Sequence, residues 1–284
     1  MKTIKIAGVP EHFNLPWHLC IENGDFEDAG IDLEWTDVPE GTGKMCQMLR
    51  DESTDLAVVL TEGIIKDICA GNQSTIVQKY VESPLLWGIH VDAKASYSKL
   101  KDLDGKKAAI SRLGSGSHLM SIINAKNQNW DTTTLAFEIV NTLDGVVDAL
   151  KHGKADYFMW ERFMTKPLVD NGTFKHLANC PTPWPCFVIA VRTSFLEKNA
   201  PIVAQILEII NNTTIEFKII PSIDKTLAHR YNQKIEDIKE WLSKTQWSQE
   251  NLDEKTVNKI QNQLLDLKII DKKMAYPQIV TSLE

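Results

Sequence analysis

Lys107-Ala108-Ala109-Ile110-Ser111-Arg112-Leu113-Gly114-Ser115-Gly116-Ser117-His118-Leu119 is the stretch on which the reading of this chain turns. Lys107 to Ile110 has the pattern of a short strand, Leu119 to Ala125 has helical spacing, and a Gly/Ser loop joins them. A strand that runs through such a loop into a helix start leaves several backbone N–H groups pointing into one place, where the helix dipole favours a polar or anionic group. By itself, the pattern reads as Ser115 or Ser117 capping a helix and glycines permitting a turn. A ligand cradle becomes the stronger reading because loops of the same kind recur far away in the sequence.

Upstream, Ile4 to Val9 reads as a buried strand ending in a loop from Pro10 to Leu15. A helix carrying Trp17, Leu19, Cys20, Ile21 and Phe26 is predicted next, closed by Gly30. Ile31 to Trp35 alternates as a second strand and leads through Gly41-Thr42-Gly43-Lys44 into a helix with Met45, Met48 and Leu49. Asp55 to Leu60 is a third strand, Thr61-Glu62-Gly63 opens a helix, and Ser74 to Val81 is a fourth strand. Alternation of this kind implies a parallel sheet whose strand-end loops share one edge, the edge where open α/β sheets bind ligands. The loops Pro10–Leu15, Gly41–Lys44 and Thr61–Gly63 are therefore expected to converge. Gly41-Thr42-Gly43-Lys44 lacks the first glycine and the final Ser/Thr of a phosphate-binding loop, and Cys46 stands where a dinucleotide fingerprint needs its third glycine.

Downstream of Pro84 the pattern restarts. Leu85 to Val91 is an apolar strand, Ser98 to Gly105 is a polar connection, and a second strand-loop-helix series runs from Lys107 to Ala125. Leu135–Val140 and Ala155–Trp160 are further strands, with a helix over Leu143–His152 between them. Cys180-Pro181-Thr182-Pro183-Trp184-Pro185-Cys186 is a rigid segment whose three prolines remove three backbone donors. Phe187–Val191 follows as a strand, and Pro201–Phe217, Ile235–Lys244 and Leu252–Leu267 follow as packing helices. The expected fold is α/β with two lobes, each a mostly parallel sheet flanked by helices, and a ligand cleft between them. Lobe 1 is expected over residues 1–88 and 195–284, and lobe 2 over 89–194.

Bulk properties narrow the function. The 284 residues carry a net charge of −7 with no long Lys/Arg run, which argues against a nucleic-acid partner. No segment has the length and apolarity of a membrane span, and no secretory leader opens the sequence, so the expected compartment is the cytoplasm, or the periplasm were a leader removed. The five cysteines (20, 46, 69, 180 and 186) include no CxxC and no His at zinc-ligand spacing, and read as reduced thiols. No metal or other cofactor is expected.

His12 and His118 lie in the expected strand-end loops, one per lobe, whereas His152, His176 and His229 read as surface residues. Ser117, His118 and Glu161 make a Ser/His/acid set on paper, but no Gly-x-Ser-x-Gly elbow supports it. Glu62 and Glu161 read as an acid/base pair, as hydrogen-bonding groups for a ligand, or as helix caps. Trp160 and Trp184 offer flat faces for an aromatic heterocycle, with Asn14, Thr61, Glu62 and Glu161 reading its polar edge. Binding therefore stands ahead of catalysis.

With these loops placed, the chain resembles the SsuA/THI5/NMT1-like substrate-binding proteins of the type II periplasmic-binding fold. The resemblance rests on Ile4-Lys5-Ile6-Ala7-Gly8-Val9-Pro10, Asp55-Leu56-Ala57, Leu100-Lys101-Asp102-Leu103-Asp104-Gly105-Lys106-Lys107, Leu143-Asp144-Gly145-Val146-Val147-Asp148-Ala149-Leu150, Gly153-Lys154-Ala155-Asp156 and Leu252-Asp253-Glu254-Lys255. It implies two lobes that close on a small molecule by hinge motion, and an ABC permease as a further partner. Members of the family deliver sulfonates, related anions or thiamine-pyrimidine precursors. The binding positions it implies here are Asn14, Gly41, Thr42, Thr61, Glu62, Ser115, Gly116, Ser117, Trp160, Glu161 and Trp184, joined by the loop histidines His12 and His118. The cysteine-rich CCCFC motif of the fungal pyrimidine synthases is absent, which argues against that activity. The alternative function is a cytosolic enzyme on the same fold, in pyrimidine, thiamine or menaquinone-precursor metabolism, with His12 or His118 as acid/base.

Overall fold

A computed structural model describes residues 3–283. The chain forms two compact units, one from the residues up to Ser83 and from Trp184 onward, the other from Pro84–Pro183. The chain first lays down β1 (Ile4–Gly8), α1 (Leu15–Asn23), α2 (Asp25–Asp28), β2 (Leu33–Asp37), α3 (Thr42–Arg50), β3 (Leu56–Leu60), α4 (Thr61–Cys69) and β4 (Ser74–Val81). The single helix expected from Trp17 to Gly30 is two. Gly24 takes φ 81°, a left-handed conformation, and its N–H closes α1 on the carbonyls of Cys20 and Ile21.

The second unit contains β5 (Leu86–Asp92), β6 (Ala108–Ile110), α5 (Gly116–Asn127), β7 (Phe137–Ile139), α6 (Leu143–Lys151), β8 (Tyr157–Glu161), α7 (Arg162–Asp170) and β9 (Phe174–Pro181). The chain then returns to unit 1 with β10 (Phe187–Arg192), α8 (Thr193–Glu216), α9 (Ile223–Arg230), α10 (Ile235–Lys244) and α11 (Glu254–Asp266). A residue outside helical φ/ψ, Asn199, kinks α8 two positions before Pro201, as expected of a residue near proline.

Each unit has one five-stranded sheet, ordered β2-β1-β3-β10-β4 and β7-β6-β8-β5-β9. The two follow one plan. Three strands are parallel, the fourth in order is reversed (β10 or β5), and the fifth pairs antiparallel with that reversed strand. Four strands of each sheet thus share a direction, while half of the ladders are antiparallel. The reversed strands also explain where the units part. Leu86 to Gly88 pair with β8 and β9, and β10 pairs throughout with β3 and β4. The crossings accordingly fall at 83/84 and 183/184, ahead of the 88/89 and 194/195 expected from sequence.

In the sheet of unit 1, β3 is a continuous apolar run, and every residue of β4 is buried, Ser74, Thr75, Gln78 and Lys79 included. Its buried charged groups include Lys79 on β4 and the Arg192–Asp55 pair, and the pair is held by several partners. Arg192 donates through Nη2 to Asp55 Oδ1 (2.6 Å) and through Nε to the Thr54 carbonyl (3.1 Å), while Asp55 Oδ2 accepts from the Lys5 N–H (3.0 Å). The start of β3 is thereby tied to the end of β10.

Candidate functional site

In unit 1 the C-terminal ends of β2, β1 and β3 lie side by side, because β1 is parallel to both neighbours with Gly8 opposite Asp37 and Ala7 opposite Ala57. The loops that leave these ends carry the residues singled out from sequence. Gly41, at φ 77° and ψ −166°, occupies backbone space suited to glycine and leads into α3. Thr42 accepts at Oγ1 from the Leu60 N–H (3.0 Å), and its methyl lies so close to Gly63 that a Cβ there would stand 2.5 Å from it. The 41–44 and 60–63 loops therefore do meet, through Thr42.

Thr61 and Glu62 start α4. Thr61 is fully buried; its hydroxyl donates to the Pro185 carbonyl (2.6 Å) and its N–H to the Cys186 carbonyl (3.0 Å). The proline-rich segment is thus fastened across the start of α4, and the next side chains complete the arrangement. Trp184 Nε1 donates to Glu62 Oε2 (2.8 Å), and both residues are buried. Burial raises the Glu62 carboxyl above its ordinary pKa, opposed by its own backbone N–H, by Trp184 and by Lys66.

The loop after β1 is held from two directions. The Phe13 carbonyl accepts from Tyr80 Oη (2.8 Å) and Trp247 Nε1 (3.2 Å). Asn14, fully buried, donates from Nδ2 to the Val9 carbonyl (2.8 Å). Because a carbonyl can only accept, that bond fixes the amide's orientation and leaves Oδ1 as the remaining acceptor. Asn14 Oδ1 and Glu62 Oε1 are both buried and have no hydrogen-bond partner. A buried polar atom left so costs about 1–3 kcal/mol, which makes each one notable in a folded chain.

His12 is placed differently from its neighbours. Its ring is fully buried against Trp241 (centroids 4.7 Å apart) and Tyr231 (5.2 Å), with Nε2 2.9 Å from Gln233 Nε2. Burial pushes its pKa down to about 4, so it is neutral at pH 7. The expected loop histidine is a packing residue beneath the C-terminal helices.

In unit 2 the Ser111–His118 loop is largely self-satisfied. Ser115 caps α5, accepting at Oγ from the His118 N–H (3.3 Å), and Ser117 Oγ accepts from the Ser111 N–H (3.0 Å). Gly116 is the first residue of α5. His118 accepts at Nδ1 from the Gly114 N–H (3.1 Å), which places the neutral ring's proton on Nε2, and the ring stands edge-on to Phe137. Glu161 caps α7, accepting at Oε2 from the Met164 N–H (2.7 Å). Trp160 is half-buried against the apolar cluster of Ala109, Val146, Phe158 and Phe174. These roles are local and structural, whatever else the residues contact.

Sequence reasoning did not single out Gly8 and Trp35. The Trp35 ring crosses the end of β1 so closely that a Cβ on Gly8 would stand 2.4 Å from it and 2.8 Å from Asn14 Nδ2. Trp35 is half-exposed, bonded through Nε1 to Asp37 (2.8 Å), and joined edge-on by His18. The pairing that brings it there, Ile6 opposite Trp35, is a matter of sheet register that single-strand alternation does not reveal. Among the described residues no group of three or more His, Cys, Asp or Glu side chains is arranged to hold a metal ion.

Comparison with known proteins places this geometry. The family description Ca3427-like PBP matches residues 87–180, most of unit 2. No match was found among curated proteins. Among solved structures, the Candida albicans CA3427 gene product, described as having the generic periplasmic binding protein fold, is similar over 100% of this chain and 98% of its own, with TM-score 0.89 and 25% identity. The alkanesulfonate-binding protein SsuA of Xanthomonas axonopodis pv. citri, bound to MOPS, matches 99% of this chain and 98% of its own at TM-score 0.83 and 15% identity. The periplasmic aliphatic sulphonate binding protein SsuA of Escherichia coli matches 100% and 94% at TM-score 0.76 and 16% identity.

Proposed function

We propose that this chain, which has the type II periplasmic-binding-protein fold in a family related to SsuA, is a small-molecule-binding protein, its ligand a thiamine-pyrimidine-like heterocycle or a small anion. The observation that carries the reading is the buried Trp184–Glu62 pair at the start of α4. An aromatic plane and a carboxylate fixed side by side at the C-terminal edge of an α/β sheet supply a stacking face and a polar edge together. Asn14, Thr42 and Trp35 border the same three strand ends. In the second unit, the capped loops at Ser115–His118 and Trp160–Glu161 occupy the equivalent strand ends and are proposed to contact ligand as well. An ABC permease is the partner that the sulfonate-binding relatives suggest, and it remains part of the proposal. The acid/base reading finds little support in the histidines, since His12 is enclosed by aromatic rings and His118 Nδ1 is engaged by Gly114.

A thermal-shift screen of pyrimidines, thiamine, sulfonates and carboxylates tests this. At least one class is expected to raise Tm by several degrees and to be recovered chemically unchanged after overnight incubation. A screen with no response overturns the reading, and turnover of a stabilising compound replaces it with the enzymatic alternative.

A further inference from the structure

We infer that the strand-end site of unit 1 recognises a hydrogen-bond-donating group, an amidine, amine or amino-heterocycle N–H, rather than a sulfonate or other anion. This rests on the small-molecule reading above and decides between the ligand classes it leaves open. Asn14 Oδ1 and Glu62 Oε1 are unpartnered polar atoms on the loops that leave β1 and β3, which are adjacent parallel strands; a third on these loops, His12 Nδ1, belongs to a ring packed against Trp241 and Tyr231. Asn14 is fully buried and Glu62 is 2% exposed. Both are acceptors. The Asn14 amide cannot turn over, because Nδ2 serves the Val9 carbonyl, and Glu62 already takes the Trp184 indole N–H on its other oxygen.

The first-turn position would ordinarily suit an anion, since nine-residue α4 directs its positive end toward the same place. Glu62 is itself the acidic residue of that turn, and a second anion beside it would meet like charge at short range in a water-poor setting. Of the cations near it, Lys44 in the first turn of α3 is exposed and lies 3.4 Å from Gln47, and Lys66 in α4 offsets only part of the effect of burial on Glu62. A donor-bearing ligand satisfies both orphaned acceptors and, where it is cationic, the buried charge of Glu62 as well.

Matched aromatic probes test this by calorimetry and thermal shift on the full chain. Benzamidine supplies a charged donor set, 4-aminopyrimidine a neutral one, and benzenesulfonate an anion of similar size. At least one donor probe is expected to bind while benzenesulfonate is inert, and Glu62→Gln, which keeps an acceptor for Trp184, is expected to weaken the donor probe at least tenfold. Binding of benzenesulfonate with both donor probes silent overturns the inference and leaves the small-molecule reading standing. Donor probes that bind Glu62→Gln as well as the native protein also overturn it, as does silence from all three. In that last case the broad screen separately decides the small-molecule reading. The comparison of probes on the native chain needs no variant, so it holds even where Glu62→Gln folds poorly.

Discussion

At the Trp184–Glu62 contact, one indole N–H supports a buried carboxylate whose other oxygen has no partner. Trp184→Phe keeps an aromatic ring, smaller than the indole, and removes that donor, and the lost hydrogen bond alone is expected to cost about 1–3 kcal/mol of stability by denaturant titration. His90 gives a second prediction at this scale. It is fully buried, stacked on Phe158 with centroids 5.0 Å apart and 3.1 Å from Thr165 Oγ1, and burial, with smaller contributions from His176 and Arg162, pushes its pKa down to about 3. The unfolded chain takes up this proton near pH 6.5 and the folded chain does not until about 3. The stabilisation is therefore complete above pH 6.5 and is lost as pH falls through that window, at a slope of up to about 1.4 kcal/mol per pH unit. Glu62 acts with opposite sign: its raised pKa means that folding is favoured when the carboxyl is protonated and loses stability as pH rises above its ordinary value. His90→Phe is expected to flatten the acid limb of a Tm-against-pH curve between pH 7 and 4.5, and an unchanged limb would assign that limb to other groups.

Elements meet at this site through small residues. Gly63 sits against the Thr42 methyl, and Thr42 is held in that rotamer by its bond to the Leu60 N–H. Gly63→Ala is expected to destabilise by about 1–3 kcal/mol through overpacking. Adding Thr42→Ser removes the offending methyl, retains the hydroxyl, and is expected to restore most of the loss in a double-mutant cycle. Some elements were legible beforehand: β4 spans Ser74–Val81 and α10 spans Ile235–Lys244, the same bounds that the sequence reading predicts. Three elements were not seen, and each has a reason. α7 contains Pro167, β9 is an edge strand of half-exposed residues such as Lys175, His176 and Ala178, and the short α9 has only Ile223 and Leu227 buried. For the site, loops could be named from strand ends, but the partners of Glu62 and His12 lie 122 and more than 220 positions away. Nothing local in the sequence tells that one of these residues meets a tryptophan at the sheet edge and the other is packed beneath helices.

Across the molecule, the middle third of the chain is continuous in one unit while the other unit is assembled from both ends. Residues 84–183 hold a complete sheet and an apolar cluster built on Ala109, Val146, Phe158 and Phe174. Expressed alone, this segment is expected to give a cooperative unfolding transition and a dispersed amide spectrum. Residues 1–83 alone are expected to give neither, because β10 supplies the only strand that pairs β3 with β4 among the described elements. Arg192→Met tests the same dependence in the intact chain. It strands the Asp55 carboxylate in the core and is expected to cost about 3–5 kcal/mol, the usual penalty for removing one partner of a buried pair.

The Phe13 carbonyl, bonded by Tyr80 and by Trp247, gives the order of synthesis a role in how the molecule matures. On the ribosome, the loop after β1 is among the first parts of the chain to emerge, yet one of its two anchors is made some 230 residues later. Glu62 likewise waits for Trp184. The strand-end loops of unit 1 thus gain their full set of anchors only once the chain has been made as far as Trp247.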